Sequence, residues 1–249
     1  MKKIVLIALG ACMFIATADA QKQTGGEKNL QVLFAPLGGS PISLNGGGIS
    51  FRKFNSDGTS AWRLNLFIGL NSKTEVKGQP IDTGSFLTGG GRPELDKKTS
   101  GMTISLRPGY EKHFAGNERL SPYIGAEVLF TLTTAKVETD VLGDNGTIAT
   151  PASNYVVLTE EKKGDGASTT FGVNLIAGFD YYIATHLSLG AEFGFGFSTT
   201  SMPDIENTSA TNNATTGAFE LVTDRNEIQG KSLNVGPNVI GQLKLSWLF

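Results

Sequence analysis

From about residue 28 onward, apolar and polar side chains alternate with a period of two in eight separate runs. That periodicity marks β-strands whose two faces meet different surroundings. In the third run Trp62, Leu64, Leu66, Ile68 and Leu70 fall on one face, and Arg63, Asn65, Phe67, Gly69 and Asn71 on the other. The same pattern recurs over Met102–Glu111, Tyr123–Leu132, Phe171–Tyr181, Leu187–Phe197 and Val235–Phe249, and more weakly over Leu30–Pro36 and Gly47–Phe54. The connections alternate in kind. Those at 55–60, 115–121 and 184–186 are short and rich in turn residues, whereas those near 72–99, 136–168 and 199–231 are long and polar, and the one at 37–46 is intermediate. A soluble sandwich has no use for such asymmetry. It predicts an all-β fold: an eight-stranded antiparallel up-and-down transmembrane barrel with short periplasmic turns and long extracellular loops.

Charge selects the face that meets lipid. One phase carries Arg52, Arg63, Arg107, Glu111, Glu127, Asp180, Glu192 and Lys244. A cation on the lipid face at mid-membrane costs about 2–4 kcal/mol, so this phase is expected to point into the lumen and pair across the bore as an ion-pair network. The apolar phase carries Lys53 and Lys112 beside short turns, where they can snorkel. Outward-phase Trp62, Tyr110, Phe114, Tyr181, Trp247 and Phe249 all fall at the short-turn ends or the carboxyl terminus, and are expected to form one membrane-interface girdle. Phe34, Phe130, Phe171 and Phe197 would form the other. The inward glycines of the last strands, among them Gly172, Gly178, Gly190, Gly194 and Gly196, either make room for bulky neighbours or leave a water-filled cup open to the outside.

The amino terminus sets the compartment. Met1-Lys2-Lys3, an apolar stretch from Ile4 to Thr17 and Ala18-Asp19-Ala20 form the three-part pattern of a secretory signal over 1–20, with cleavage before Gln21. A short periplasmic segment, 21–28, then leads into the barrel, 29–249. A lipoprotein reading of Leu9-Gly10-Ala11-Cys12 would strand Met13-Phe14-Ile15 at the mature end, and the stretch is too short for a membrane anchor. Of the 249 residues, Lys+Arg number 21 and Asp+Glu 23; without Lys2, Lys3 and Asp19 these become 19 and 22, a mature charge of −3. That balance argues against nucleic acid as a partner. The one cysteine lies in the signal segment, so disulfides, thiolate metal sites and cysteine nucleophiles are not expected.

The signal segment, the eight runs and the carboxyl-terminal Leu243-Lys244-Leu245-Ser246-Trp247-Leu248-Phe249 together resemble the OmpA/OmpX-type outer-membrane barrels. The Gly46–Phe54 stretch followed by an Asp-Gly turn is similar to the "outer membrane protein beta-barrel domain" proteins of Bacteroidota. The resemblance implies a Gram-negative, porin-like cell-surface barrel in outer-membrane lipid, with both termini periplasmic and Phe249 presented to the barrel-assembly machinery. It is specific for architecture and nearly silent on activity, and it names no surface partner.

Chemistry beyond architecture is sparse. Some barrels of this size are lipid-modifying enzymes. His113 and His186 map beside short turns, however, on the wrong rim for outer-leaflet work, and are read as interfacial; a catalytic arrangement would require a serine hydroxyl within about 3.2 Å of an imidazole nitrogen. Gly89-Gly90-Gly91 is read as loop. Asp140, Asp144, Glu160, Glu161 and Asp165 are read as a solvated face rather than a cation site. No catalytic, cofactor or metal residue is expected. Ala135–Leu142, Asn154–Thr159 and Phe219-Glu220-Leu221-Val222 alternate weakly and are expected to extend strands above the membrane. The function expected is a plugged barrel with structural, adhesive or partner-binding loops. The alternative is a conduit for small solutes or hydrophobic ligands, of the kind OmpW-like barrels resemble.

Overall fold

A computed structural model describes residues 22–34, 48–77, 95–144, 155–213, 218–226 and 230–249. The signal segment, Gly89-Gly90-Gly91 and the connection at 37–46 lie outside them. Every regular element among the described residues is a β-strand: β1 (Lys28–Phe34), β2 (Gly48–Phe54), β3 (Ser60–Lys77), β4 (Leu95–His113), β5 (Leu120–Asp144), β6 (Tyr155–Lys163), β7 (Ser168–Ala184), β8 (Leu187–Ser201), β9 (Ile205–Asn212), β10 (Phe219–Asn226) and β11 (Lys231–Leu248).

Eight of these close into an antiparallel barrel in the order β1-β2-β3-β4-β5-β7-β8-β11. Closure joins the first strand to the last, from Asn29↔Leu248 to Phe34↔Leu243, and Lys28 and Phe249 exchange main-chain N–H···O bonds of 2.9 Å in both directions. A closed sheet has no edge to leave unpaired. Barrel neighbours follow one another along the chain, so the topology is up-and-down. Two register shifts in β11, between Gly236 and Val239 and between Val239 and Gln242, bulge the last strand, and Pro237, which has no N–H to donate, falls in the first.

One end of the barrel has tight connections, at 55–59, 114–119 and 185–186. Asp57 shapes the first of these by accepting a 3.0 Å bond from the Thr59 amide. At the other end the strands outrun the barrel. β3, β4 and β5 continue, and β6, β9 and β10 attach beside β5 in the order β3-β4-β5-β6-β9-β10. The result is a six-stranded wall on one side of the mouth. Much of what the sequence presents as long polar loops is therefore paired strand. Both wall faces are solvated, so the period-2 apolar signal fades while the main-chain pairing persists. Gly164 and Gly166, both at φ 87°, supply the left-handed turn that separates β6 from β7, although the two strands are nearly collinear along β5. Hydrogen bonds from Lys136 and Lys163 hold the Glu161 carboxyl below its usual range.

Burial is inverted relative to a soluble domain. Arg52, Glu111, Asp180, Ser50 and Asn174 are fully enclosed, whereas Trp62, Leu70, Leu175 and Phe193 are exposed on the outer surface. At the short-turn end the segment preceding β1 folds across the opening. The Gly26 amide donates to Asn55 O at 3.1 Å, the Phe54 amide donates to Glu27 O at 2.9 Å, and Gln23 inserts its side chain into the lumen.

The β9–β10 hairpin is appended to the barrel rather than part of its closure, because Ser201 already pairs with Lys231 and the Met202 amide donates to Gly230 O at 2.9 Å. Replacing Pro203–Gln229 by an Asn-Gly turn should leave a folded barrel with an unchanged chemical-unfolding midpoint. Loss of the fold would show that the wall is integral to it.

Candidate functional site

Inward charged side chains of seven barrel strands converge on one hydrogen-bonded network. Arg52, on β2, reaches Glu111 of β4 at 2.9 Å and Asp180 of β7 at 2.7 Å. Arg63, on β3, binds Glu192 of β8 through both terminal nitrogens, at 2.7 and 3.0 Å, and Glu111 at 2.8 Å. Lys244, on β11, lies 3.3 Å from Asp180 and 3.4 Å from Glu192. Glu127, on β5, accepts from Asn65 at 3.1 Å and Asn174 at 3.0 Å, with Arg63 3.6 Å and Arg107 3.8 Å away. All eight sequence-selected charges thus share the lumen, four bases against four acids. They satisfy one another because a buried charge without a partner would be costly.

Neutral residues complete the network. The Tyr123 hydroxyl donates to Glu192 at 2.5 Å and also accepts from Lys244, whose ammonium sits 4.3 Å from the same ring's centroid. The Gln31 side-chain oxygen accepts from the Ser246 hydroxyl at 2.9 Å and from Arg52 Nε at 3.0 Å. The charged positions were legible from their parity. Tyr123 shares that inward phase but carries no formal charge to mark it as a member of the network. Gly178 is small for the sake of this tyrosine: a Cβ there would stand 2.5 Å from the Tyr123 hydroxyl and 2.6 Å from Ala191 O.

His113 departs from the interfacial reading. It is buried at the short-turn end, with Nε2 3.2 Å from Glu111 and Nδ1 2.9 Å from the Ser121 hydroxyl. The physical reason is parity: residue 113 continues the inward phase of 107, 109 and 111, and Ser121 enters β5 on the same side, diagonal to the His113↔Tyr123 pair. The serine–imidazole distance required of a catalytic arrangement is therefore met. The surroundings are those of a closed relay. Gln23 donates to the same serine oxygen at 2.8 Å, Phe54 and Tyr123 stand 5.2 and 5.1 Å from the imidazole, and Ser121 is 0% exposed. His186 lies outside the lumen, stacked on Trp247 at 6.0 Å.

Beyond the ion network the lumen changes character. Thr131 donates to Ser105 at 2.8 Å, Thr103 and Thr133 are 3.3 Å apart, and Thr170 and Thr200 are 2.8 Å apart. A cavity of about 510 Å³ opens there, lined by Phe67, Gly69, Asn71, Thr103, Thr133 and Ala135. Arg107 marks its boundary; its guanidinium covers the Phe67 ring at 4.5 Å and its side chain is 17% exposed. Trp62, Tyr110, Phe114, Tyr181, Trp247 and Phe249 all stand exposed on the outer surface around the short-turn end, with Trp62 and Tyr110 in edge contact at 5.1 Å. In the wall, Asp140 accepts from the Thr159 hydroxyl at 2.8 Å and Lys162 pairs with Asp165 at 2.7 Å. Among the described residues no three His, Cys, Asp or Glu side chains converge as metal ligands do.

Arg63→Met should cost about 3–5 kcal/mol in chemical unfolding, because it strands Glu192 and Glu111 in an enclosed space. Arg107→Met, which removes a looser and partly exposed contact, should cost about 1 kcal/mol. Equal effects would refute the view that the lower network holds the lumen together. No protein-family model and no curated protein matches this chain, which leaves the geometry of lumen and rim as the guide to function.

Proposed function

We propose that the chain is an outer-membrane barrel of the OmpA/OmpX type, with a lumen closed by ion pairs and a wall that serves structural, adhesive or partner-binding roles at the cell surface. The observation that carries this reading is the inverted barrel. Large apolar side chains cover its outside, whereas its enclosed inside is polar and neutralised. In water the outer surface would form an apolar patch far larger than soluble monomers tolerate. In a bilayer the same surface is solvated by acyl chains, and the closed ladder pairs the backbone of the spanning segments without leaving a sheet edge.

Dimensions agree. Trp62 and Leu70 are eight residues apart on one face of β3. At about 3.4 Å per residue and a tilt of about 40°, that separation spans roughly 21 Å of membrane, close to the ~25 Å apolar band of such barrels. The exposed aromatics at the short-turn end then lie at the periplasmic interface, the wall stands outside the cell, and both termini are periplasmic. Phe249, whose side chain is exposed, is the residue assigned to the assembly machinery.

The role is read as non-enzymatic, since the Ser121–His113–Glu111 relay is enclosed by Gln23 and by aromatic rings. Binding is assigned to the wall, whose outermost strand, β10, has β9 as its one neighbour among the described residues. A second reading, a conduit for small solutes or hydrophobic ligands, is favoured by the 510 Å³ cavity at the outer mouth.

The full chain, expressed in a Gram-negative host, should fractionate with the outer membrane and need detergent to stay monodisperse. It should also migrate differently in gels before and after boiling. In planar bilayers it should give no steady ohmic steps. Stability as a monomer in detergent-free buffer would sink the membrane reading, and reproducible conductance steps would replace the plug by the conduit.

A further inference from the structure

The outward surface of the wall changes character from one cross-strand row to the next. Leu70 and Met102 face each other across β3 and β4, with Thr134 beside them on β5. The next row outward is Ser72, Ser100, Lys136, Lys163, Glu206 and Arg225, joined pair by pair across the six strands. It carries three cations and one anion, and that anion, Glu206, is held by Arg225 at 2.6 Å. One row further out are Thr74, Lys98, Glu138, Glu161, Thr208 and Thr223, with one cation and two acids. Positive charge therefore lies nearest the apolar surface and negative charge stands off from it. Lys136 reaches out to Glu138 and Glu161 at 2.7 Å each, yet the Lys163 side chain remains 53% exposed against 23% for Glu161. Beneath the two lysines runs a groove of about 920 Å³, whose lining includes Leu70, Met102, Leu132, Ala167 and Pro203.

We propose that this groove and its lysine pair bind one lipid of the outer leaflet that bears phosphate on its headgroup. An acyl chain lies against Leu70, Met102 and Leu132, and the phosphate sits between the Lys136 and Lys163 ammonium groups, which offer point charges to an anion. This inference rests on the outer-membrane reading above. Glu161 competes with the phosphate for both lysines, so its removal strengthens binding while theirs weakens it. A purely apolar groove would show neither effect.

The test titrates the purified full chain in nonionic detergent with bisphosphorylated lipid A, with the same lipid stripped of its phosphates, and with inorganic phosphate, counting bound molecules by native mass spectrometry. The phosphorylated lipid should bind at one saturable site. Lys136→Gln with Lys163→Gln should weaken it by about 30-fold, as expected for two interfacial lysines, and Glu161→Gln should tighten it. Heat-dependent gel mobility verifies that each variant is folded; if the double variant is not, Lys163→Gln alone, at an exposed position, carries the test. Equal binding of the two lipids, binding of inorganic phosphate alone, or indifference to the lysine substitutions overturns the proposal. A detergent-dependent, heat-modifiable barrel with any of those results leaves the membrane reading standing, whereas a barrel stable without detergent removes both.

Discussion

Seven charged side chains enclosed in the lumen, Arg52, Arg63, Lys244, Glu111, Glu127, Asp180 and Glu192, are exposed by 3% or less. Such groups are tolerable only as a closed set. Three cations against four anions leave one negative charge over, and Arg107 supplies the balance from the upper boundary of the network. Its place there has a cause. The network needs its charge but not its full burial, so it caps the set while its guanidinium lies over the Phe67 ring. The other features of the interior follow from the same demand. Carboxylates with several lone pairs need more donors than three cations provide, and Asn65, Asn174 and Tyr123 supply them. Glycine at 178 yields the space that Tyr123 occupies.

The barrel itself was legible from the chain because its two surroundings differ so sharply. In Trp62–Asn71 large apolar residues at every second position face outward and their neighbours face a charged interior, so the parity of each side chain reports its direction. The eight inward charges could be picked out on that basis alone. The wall obscured the same logic. Ile205–Asn212 reads Ile-Glu-Asn-Thr-Ser-Ala-Thr-Asn, with no alternation, because water lies on both sides of β9; its pairing with β10 and β6 is set by main-chain groups, which leave no trace in composition. Ser121 was missed for another reason. Its contact with His113 crosses a turn, and only the pairing register of β4 with β5 brings the two together, although both positions shared an inward parity that a residue count across the hairpin would have revealed.

The two ends of the molecule solve opposite problems. At the short-turn end the described residues pack closely. Gln23, His113, Ser121 and Phe54 fill the bore, and main-chain bonds from Gly26 and Phe54 fasten the leading segment beneath it. At the other end the lumen is lined by threonine and serine hydroxyls, small groups that are as content with water as with one another. A rigid floor beneath a hydrated mouth lets the wall vary its sequence without disturbing what holds the barrel closed. Exposed ion pairs such as Lys73–Glu75 and Lys162–Asp165 contribute little, because solvent screens them. The strands of the wall therefore depend on their backbone ladders and on their continuity with β3, β4 and β5.

That continuity also explains why the boundary of the apolar belt is abrupt. The same three strands carry Leu70, Met102 and Thr134 in one row and Ser72, Ser100 and Lys136 in the next, so one two-residue step along each strand passes from apolar to polar surface. Lysine suits the first row beyond the crossing, since its aliphatic stem can lie along apolar neighbours while its ammonium reaches polar ground. A carboxylate has no such reach, and the one in that row, Glu206, is held by Arg225. Glu138 and Glu161 stand one row further out, where Lys136 extends to meet them, so along the wall cations come first beyond the apolar surface and acids after them.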